Sequence, residues 1–154
     1  MKFSTSNINK FLFIKLPAAW WCGVRLDKLS DTDAISRVRF RWISQNPFKS
    51  MYFAVQMMAA ELPTGVLVMR ALNDQPMRFS MLVASCQATF HKRATGTVFF
   101  KCDDAPLIRD AIVKSIQTQD SVTVILTSIG TNELGELIST MTFEWTIKPK
   151  MNNR

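Results

Sequence analysis

Residues 46–65, NPFKSMYFAVQMMAAELPTG, form the stretch that decides the fold. Nearly every residue over 51–62 is apolar, which predicts a helix with no face suited to water. Other elements must therefore enclose this helix. Ser50 is suited to cap its start, while Pro63 and Gly65 predict that it ends soon after residue 62.

The rest of the chain predicts mostly strands around this helix. A short helix is expected over 9–21, limited or kinked by Pro17, and another over 104–117. Strands are expected over 23–29, 34–43, 66–72, 79–92, 95–101, 122–129 and 137–147. Long antiparallel strands with one apolar face, together with a helix that is apolar all round, predict an α+β fold. Its simplest form is a sheet wrapped around the central helix.

Length and charge restrict the classes of protein. The 154 residues predict a single domain over 1–154, with 1–20 as an N-terminal helical extension. No apolar run reaches the ~18 residues that would span a bilayer. The net charge of +7 suggests an anionic partner or a dispersed solubility charge. Nucleic acid is disfavoured, because the basic residues are not interleaved with aromatic residues as stacking platforms require.

Cysteine and histidine are too sparse to assemble a metal site from the usual ligands. Cys22, Cys86 and Cys102 are odd in number and lack a CxxC spacing, which argues against both a disulfide framework and a zinc site. His91 is the only histidine. We therefore expect a reduced, cytoplasmic protein that binds no metal.

The spacing within the helical stretch points to a known family. Asn46 is followed six positions later by Tyr52, nine further on by Glu61, and four beyond that by Gly65. This spacing resembles that of the hot-dog-fold acyl-CoA thioesterases of the phenylacetyl-CoA type. There an Asn precedes His-Gly-Gly, an acid lies nine residues after the His, and a Gly follows four residues later. The segment 88–96, ATFHKRATG, is similar to a branch of the same superfamily.

The resemblance implies a fold, an activity and an assembly. It implies a hot-dog fold that hydrolyses an acyl thioester of coenzyme A or of an acyl carrier protein. Coenzyme A would enter only as part of the substrate, and no other cofactor is expected. It also implies a homodimer with acyl sites at the interface, which can pair further into a dimer of dimers.

The sequence departs from the family at the start of the helix. Tyr52, Phe53 and Ala54 replace His-Gly-Gly, and Lys49 replaces the glycine of the preceding loop. The family places its oxyanion-binding N–H groups at those glycines. The departure favours an alternative function, a non-catalytic hot-dog protein that binds acyl thioesters or lipids. A hot-dog dehydratase would require a catalytic His where Tyr52 stands.

Three residues are the catalytic candidates. Glu61 would act as a general base for water or as a nucleophile, unless it only reaches water at the end of the helix. Asn46 would orient a water molecule or the thioester carbonyl, or else serve as a turn residue. Tyr52 would donate its hydroxyl to the thioester oxygen, or else pack against its neighbours.

Five further residues are the substrate-binding candidates. Ser50 precedes free helix N–H groups that form a natural oxyanion site, and Phe53 follows in the first turn. Lys92 and Arg93, with Lys49 near the start of the helix, would hold the phosphates of coenzyme A, unless they form a solvated cluster with His91.

Overall fold

The computed structural model describes residues 3–150. The helices are α1 (Thr5–Lys15), α2 (Pro17–Trp21), α3 (Phe53–Asn73) and α4 (Ala105–Thr118), with a 3-10 turn at Trp42–Ser44. The strands are β1 (Arg25–Leu29), β2 (Ala34–Arg39), β3 (Phe79–Phe90), β4 (Thr97–Cys102), β5 (Val122–Asn132) and β6 (Leu137–Pro149). The predicted N-terminal helix is divided in two at Leu16, because Pro17 begins a new helix rather than continuing α1.

The strands form one antiparallel sheet in the order β1-β2-β4-β5-β6-β3. Helix α3 packs on one face of this sheet, and α4 lies beside α3 against β5 and β6. Alternate residues of β6 face the helices and are buried, among them Met141, Phe143 and Trp145. This arrangement confirms the predicted α+β fold with a central apolar helix.

The central helix is much longer than the sequence predicts. The prediction of a helix that ends near Leu62, followed by a strand over 66–72, is wrong, because α3 continues through Pro63 and Gly65 to Asn73. Val66, Leu67 and Val68 are all buried, so their pattern carries no periodicity that would distinguish helix from strand.

The hydroxyl of Ser36 explains how the helix tolerates its internal proline. Pro63 has no N–H group to donate to the carbonyl of Ala59. Ser36, on β2, donates its Oγ–H to that carbonyl from the adjoining sheet face. The hydrogen bond that Pro63 cannot make is therefore replaced by one from a residue 27 positions earlier.

Two local predictions near the start of α3 are also wrong. The strand predicted over 34–43 ends at Arg39, and Trp42 lies in the 3-10 turn that follows, where it is 82% exposed. Ser50 is not the helix cap. The cap position is Tyr52, in an extended conformation, while Ser50 bonds to Asn46 in the preceding loop.

Strand β3 forms one edge of the sheet and is twelve residues long. A bulge between Val83 and Ser85 shifts its register against β6. Beyond it Cys86 and Ala88 pair with the buried residues Phe143 and Met141, so they lie on the side of the sheet that faces the helices. Cys86 is nevertheless exposed and Ala88 only half-buried. Helix α3 therefore leaves this end of β3 uncovered.

No helix within residues 3–150 is long and apolar enough to cross a membrane.

We predict that Ser36→Ala lowers the free energy of unfolding by about 1–3 kcal/mol, because the buried Ala59 carbonyl then has no partner. In a Pro63→Ala background an N–H group is restored to the helix, and the same Ser36 substitution should cost clearly less. Denaturant unfolding of the four proteins of this cycle measures the difference. Equal losses in both backgrounds would show that Ser36 stabilises the fold by other means.

Candidate active site

A cleft of 530 Å³ opens at the N-terminus of α3, and we call it the N-terminal cleft. It lies between the loop that precedes α3, the first turns of α3, and the chain just after β3. Six of the eight predicted site residues line it: Asn46, Ser50, Tyr52, Phe53, Lys92 and Arg93. Lys49 and Glu61 do not.

Asn46 organises the loop below the cleft. Its Oδ1 accepts hydrogen bonds from the backbone N–H groups of Phe48 (2.9 Å) and Ser50 (3.2 Å), and its Nδ2 donates to the Ser50 Oγ (3.0 Å). Lys49 closes the loop with φ of 58°, a left-handed conformation that favours glycine. This is the position at which the thioesterase pattern has its loop glycine. The Lys49 side chain is exposed outside the cleft.

The first turn of α3 presents two free backbone donors. The Tyr52 N–H donates to the Ser44 carbonyl (2.8 Å), and the N–H groups of Val55 and Gln56 donate to the Tyr52 carbonyl. Within residues 3–150, no acceptor bonds the N–H groups of Phe53 and Ala54. They lie at the positive end of the dipole of a 21-residue helix. An oxyanion-binding pair is therefore available even though the glycines have been replaced.

Aromatic rings line the cleft at the start of α3. The Tyr52 and Phe53 rings meet edge to face with centroids 4.9 Å apart, and Phe53 stands 6.4 Å from Phe90 of β3. All three side chains are between 45% and 53% exposed. The result is an apolar entrance next to a polar backbone site, which suits a ligand with an acyl chain and one polar group.

The basic residues at the rim of the cleft differ in whether their charge is already paired with a carboxylate. Lys92 Nζ lies 2.7 Å from the Glu136 Oε1, and this hydrogen bond lowers the pKa of Glu136. Arg93 forms no ion pair with any residue that the structure describes. His91 lies 3.3 Å from the Thr140 Oγ1. Arg93 is therefore the cation most available to a phosphate.

Glu61 lies elsewhere on the same helix. It lines two adjoining apolar depressions of 180 and 220 Å³, both beneath Lys15 and Leu16. Burial raises the pKa of Glu61 to about 7. Its carboxylate forms no hydrogen bond or ion pair with the described residues. It is therefore a desolvated acid that can accept or release a proton near neutral pH.

Helix geometry separates Glu61 from the N-terminal cleft. Tyr52 and Glu61 lie nine positions apart, which is about two and a half helical turns. Their side chains therefore leave opposite faces of α3. A single copy of the chain does not bring Glu61 together with the other candidates.

Sequence reasoning missed Gln56. It is 4% exposed, lines the N-terminal cleft, and its Oε1 accepts a hydrogen bond from the Ser139 Oγ of β6 (3.1 Å). The available signal was an uncharged polar residue within an otherwise apolar run.

No family model and no curated protein matches the sequence. Solved structures do match the fold. A Pseudomonas aeruginosa protein of unknown function, described as a probable thioesterase, matches with a TM-score of 0.81 at 20% identity, over 94% of this chain and 96% of that one. A Haemophilus influenzae thioesterase matches with a TM-score of 0.69 at 9% identity, over 100% and 96%.

A variant of another Pseudomonas aeruginosa thioesterase matches with a TM-score of 0.72 at 9% identity, over 97% of each chain. These likenesses, together with the sheet and its central helix, confirm the hot-dog fold predicted from residues 46–65. At such low identity they define the class of fold. The activity has to be argued from the site.

We predict that Glu61→Gln stabilises the protein at pH 8 but not at pH 4. The folded state raises the pKa of Glu61 from 4.5 to about 7, so below pH 4.5 the group is protonated in both states and folding incurs no penalty. Between pH 4.5 and 7 the carboxyl ionises in the unfolded state but stays protonated in the folded state, so stability falls progressively, and the full loss, on the order of 3 kcal/mol, is reached above pH 7. Denaturant unfolding at the two pH values measures this. A difference between the proteins that is independent of pH would contradict the raised pKa.

Proposed function

We propose that this protein hydrolyses acyl thioesters of coenzyme A or of an acyl carrier protein. The observation that carries the proposal is that one helix bears both parts of such a site. Free N–H groups of Phe53 and Ala54 stand at its start, and a desolvated Glu61 without a partner lies on its opposite face. Arg93 at the rim of the cleft suits the phosphates of coenzyme A.

The reaction uses these groups in a simple order. The thioester carbonyl oxygen accepts hydrogen bonds from the Phe53 and Ala54 N–H groups, which stabilise the negative charge that develops on it. The Glu61 carboxylate takes a proton from a water molecule as the water oxygen attacks the carbonyl carbon. The carbon–sulfur bond then breaks, and the proton held by Glu61 passes to the leaving thiolate. The products are a carboxylic acid and a free thiol.

The spacing between the loop and the acid also occurs in a protein of similar fold. Two structures of a Staphylococcus aureus thioesterase, with TM-scores of 0.63 and 0.64 at 15% and 14% identity, carry alanine in place of a glutamate and of a glutamine fifteen positions apart. Asn46 and Glu61 are also fifteen positions apart. In this chain Asn46 shapes the loop that precedes the free N–H groups.

The site requires two copies of the chain. Glu61 and the N-terminal cleft occupy opposite faces of α3, so Glu61 of one protomer would serve the cleft of its partner. The uncovered end of β3, with Cys86 and Ala88 facing the helix side, provides a surface for the second copy. An unpaired edge strand of twelve residues favours such pairing, because its free N–H and C=O groups need partners. We therefore propose a homodimer.

We predict that Cys86→Lys converts the dimer to a monomer, because it places a charge on the surface that the partner would cover. Gln87→Lys is the matched control, since Gln87 is also exposed but lies on the opposite face of the same strand. Light scattering at tens of micromolar measures the mass of each variant. A wild-type protein that is monomeric at that concentration would remove the shared site.

We predict that Glu61→Gln and Phe53→Pro each lower turnover by about 10²-fold or more. Proline at the first helical position removes one N–H donor, and Tyr52 before it already has a compatible conformation (φ −61°, ψ 134°). Phe53→Ala removes the ring but keeps the N–H and is the control. Free-thiol release from a panel of acyl-CoA substrates measures the rates.

Mixing the two inactive variants tests whether the site is shared. A mixed dimer of Glu61→Gln and Phe53→Pro protomers has one site with both original groups, so activity should return on mixing. If Glu61 and the cleft of the same protomer act together, the mixture stays inactive.

A non-catalytic acyl-thioester-binding protein is the second candidate. The departure at the start of α3 favours it, because Tyr52 stands where the thioesterases have a histidine and Phe53 stands where they have a glycine. Clear binding of acyl-CoA without thiol release, in wild type and in Glu61→Gln alike, would select this function.

A further inference from the structure

The side-chain amide of Gln56 has hydrogen-bonding capacity that the protein does not use. Gln56 is buried one turn after Tyr52, and its Oε1 accepts the hydrogen bond from the fully buried Ser139. Because the Ser139 hydroxyl donates, the Gln56 carbonyl oxygen is fixed towards β6. The two N–H bonds of its Nε2 meet no acceptor among residues 3–150. Among residues 3–150 the fully enclosed side-chain atom without a partner is the Ser128 Oγ, so the Gln56 Nε2 keeps an opening to the cleft that it lines. A ligand in the cleft can supply its acceptor.

The side chains around Gln56 indicate what kind of ligand this donor can bind. It lines the N-terminal cleft, where its neighbours Tyr52, Phe53 and Phe90 are aromatic. Ser50 is the other buried polar side chain in the lining, and its hydroxyl already bonds to Asn46. An all-alkyl acyl chain would leave the Gln56 N–H groups unpaired and dry. A chain that carries an oxygen at the right depth would pair them.

The depth follows from the helix. Gln56 lies three residues beyond Phe53, which is about 4.5 Å further along the axis of α3. In the proposed function the thioester oxygen binds at the Phe53 and Ala54 N–H groups. The Gln56 side chain leans back towards the start of the helix, so its amide lies at an axial level no more than about 4.5 Å from the thioester oxygen. An oxygen on the third carbon of the acyl group, two carbons beyond the thioester carbonyl, can reach that level.

We propose that Gln56 selects acyl thioesters with a hydroxyl or keto oxygen on the third carbon, by donating a hydrogen bond from Nε2 to that oxygen. Ser139 is the positioning residue that orients the amide. This inference rests on the proposed function, since it assumes that the thioester lies at the start of α3.

The test compares two substrates that differ by one oxygen. 3-Hydroxyoctanoyl-CoA and octanoyl-CoA are assayed for thiol release, and their dissociation constants are measured by calorimetry with the wild type and with Gln56→Met. Methionine keeps the length of the side chain and removes the donor. The wild type should favour the hydroxylated substrate at least tenfold in kcat/KM and in affinity. Gln56→Met should abolish that preference while the octanoyl substrate changes only a few-fold.

Two further variants make the result specific. Gln75→Met removes a glutamine that caps the end of α3, outside the cleft, and should leave the preference intact. Ser139→Ala leaves the Gln56 amide in place but frees it to rotate. It should reduce the preference several-fold through KM, with little change in kcat, and it serves as the test if Gln56→Met does not fold.

The outcomes separate this inference from the proposed function. Hydrolysis of both substrates at equal kcat/KM by the wild type would overturn the role of Gln56 and leave the thioesterase function standing. A preference that survives in Gln56→Met would also overturn it. Binding without hydrolysis would overturn the catalytic function, while the affinity ratio would still test Gln56. If neither substrate binds, both proposals are overturned.

Discussion

The close approach of helix α3 to Trp145 is the contact on which the rest of the structure depends. A Cβ atom on Gly65 would stand 3.3 Å from two carbons of the Trp145 indole ring and 2.9 Å from the Glu61 Oε1. The indole Nε1 donates to the Thr64 Oγ1 at 3.1 Å, which fixes the helix at that depth. Only a residue without a side chain lets the helix lie this close, and Glu61 and Trp145 line the same apolar depression beside Gly65. The raised pKa of Glu61 is therefore a consequence of how tightly the fold packs.

Hydroxyl groups at the interface of helix and sheet satisfy the polar atoms that this close packing buries. Ser36 bonds the carbonyl that Pro63 leaves free, and Ser139 bonds the side chain of Gln56. In both cases a strand supplies the O–H and α3 supplies the acceptor. Because these bonds are directional, they set the position of the helix as well as its depth. The polar groups of the site are thus held by the sheet, at the end of a helix that is otherwise apolar.

The fold was largely predictable from residues 46–65, but the end of the helix was not. An apolar run without a wet face indicates an enclosed helix, and the alternating last strand indicates the sheet that encloses it. Pro63 and Gly65 are ordinary signals for helix termination. The helix nevertheless continues, because Ser36 and Trp145 donate hydrogen bonds to it. Both residues lie far away in the sequence and become neighbours of the helix only in the folded state. Local pattern carries no information about such partners.

The residues of the candidate site also divide into those that local sequence predicts and those that depend on partners distant in the sequence. Asn46, Ser50, Tyr52 and Phe53 are close in sequence, so their spacing alone predicted that they lie together. Lys92 and Arg93 follow directly after β3 and line the cleft. Their position depends on the pairing of β3 with β6, which the alternating pattern of these strands favours. Gln56 could not be recognised, since its role depends on Ser139, 83 residues away. The distance of Glu61 from the cleft follows from a nine-residue spacing on a helix, once the helix is known to be unbroken.

Replacing the glycines by Phe53 and Ala54, and the histidine before them by Tyr52, changes the site without removing its backbone donors. The N–H groups belong to the backbone, so they survive any substitution except proline. The added rings give the cleft an apolar entrance, and a ligand seated against them would displace water from the donors, whose hydrogen bonds then interact more strongly with developing charge. A ligand that displaces water from the cleft incurs a cost for each polar atom that it leaves without a partner, whether that atom belongs to the ligand or to the Gln56 amide. A site of this kind gains selectivity from what it excludes. Its aromatic entrance disfavours polar groups that find no partner, while the Gln56 Nε2 donates a hydrogen bond to an oxygen of the acyl group.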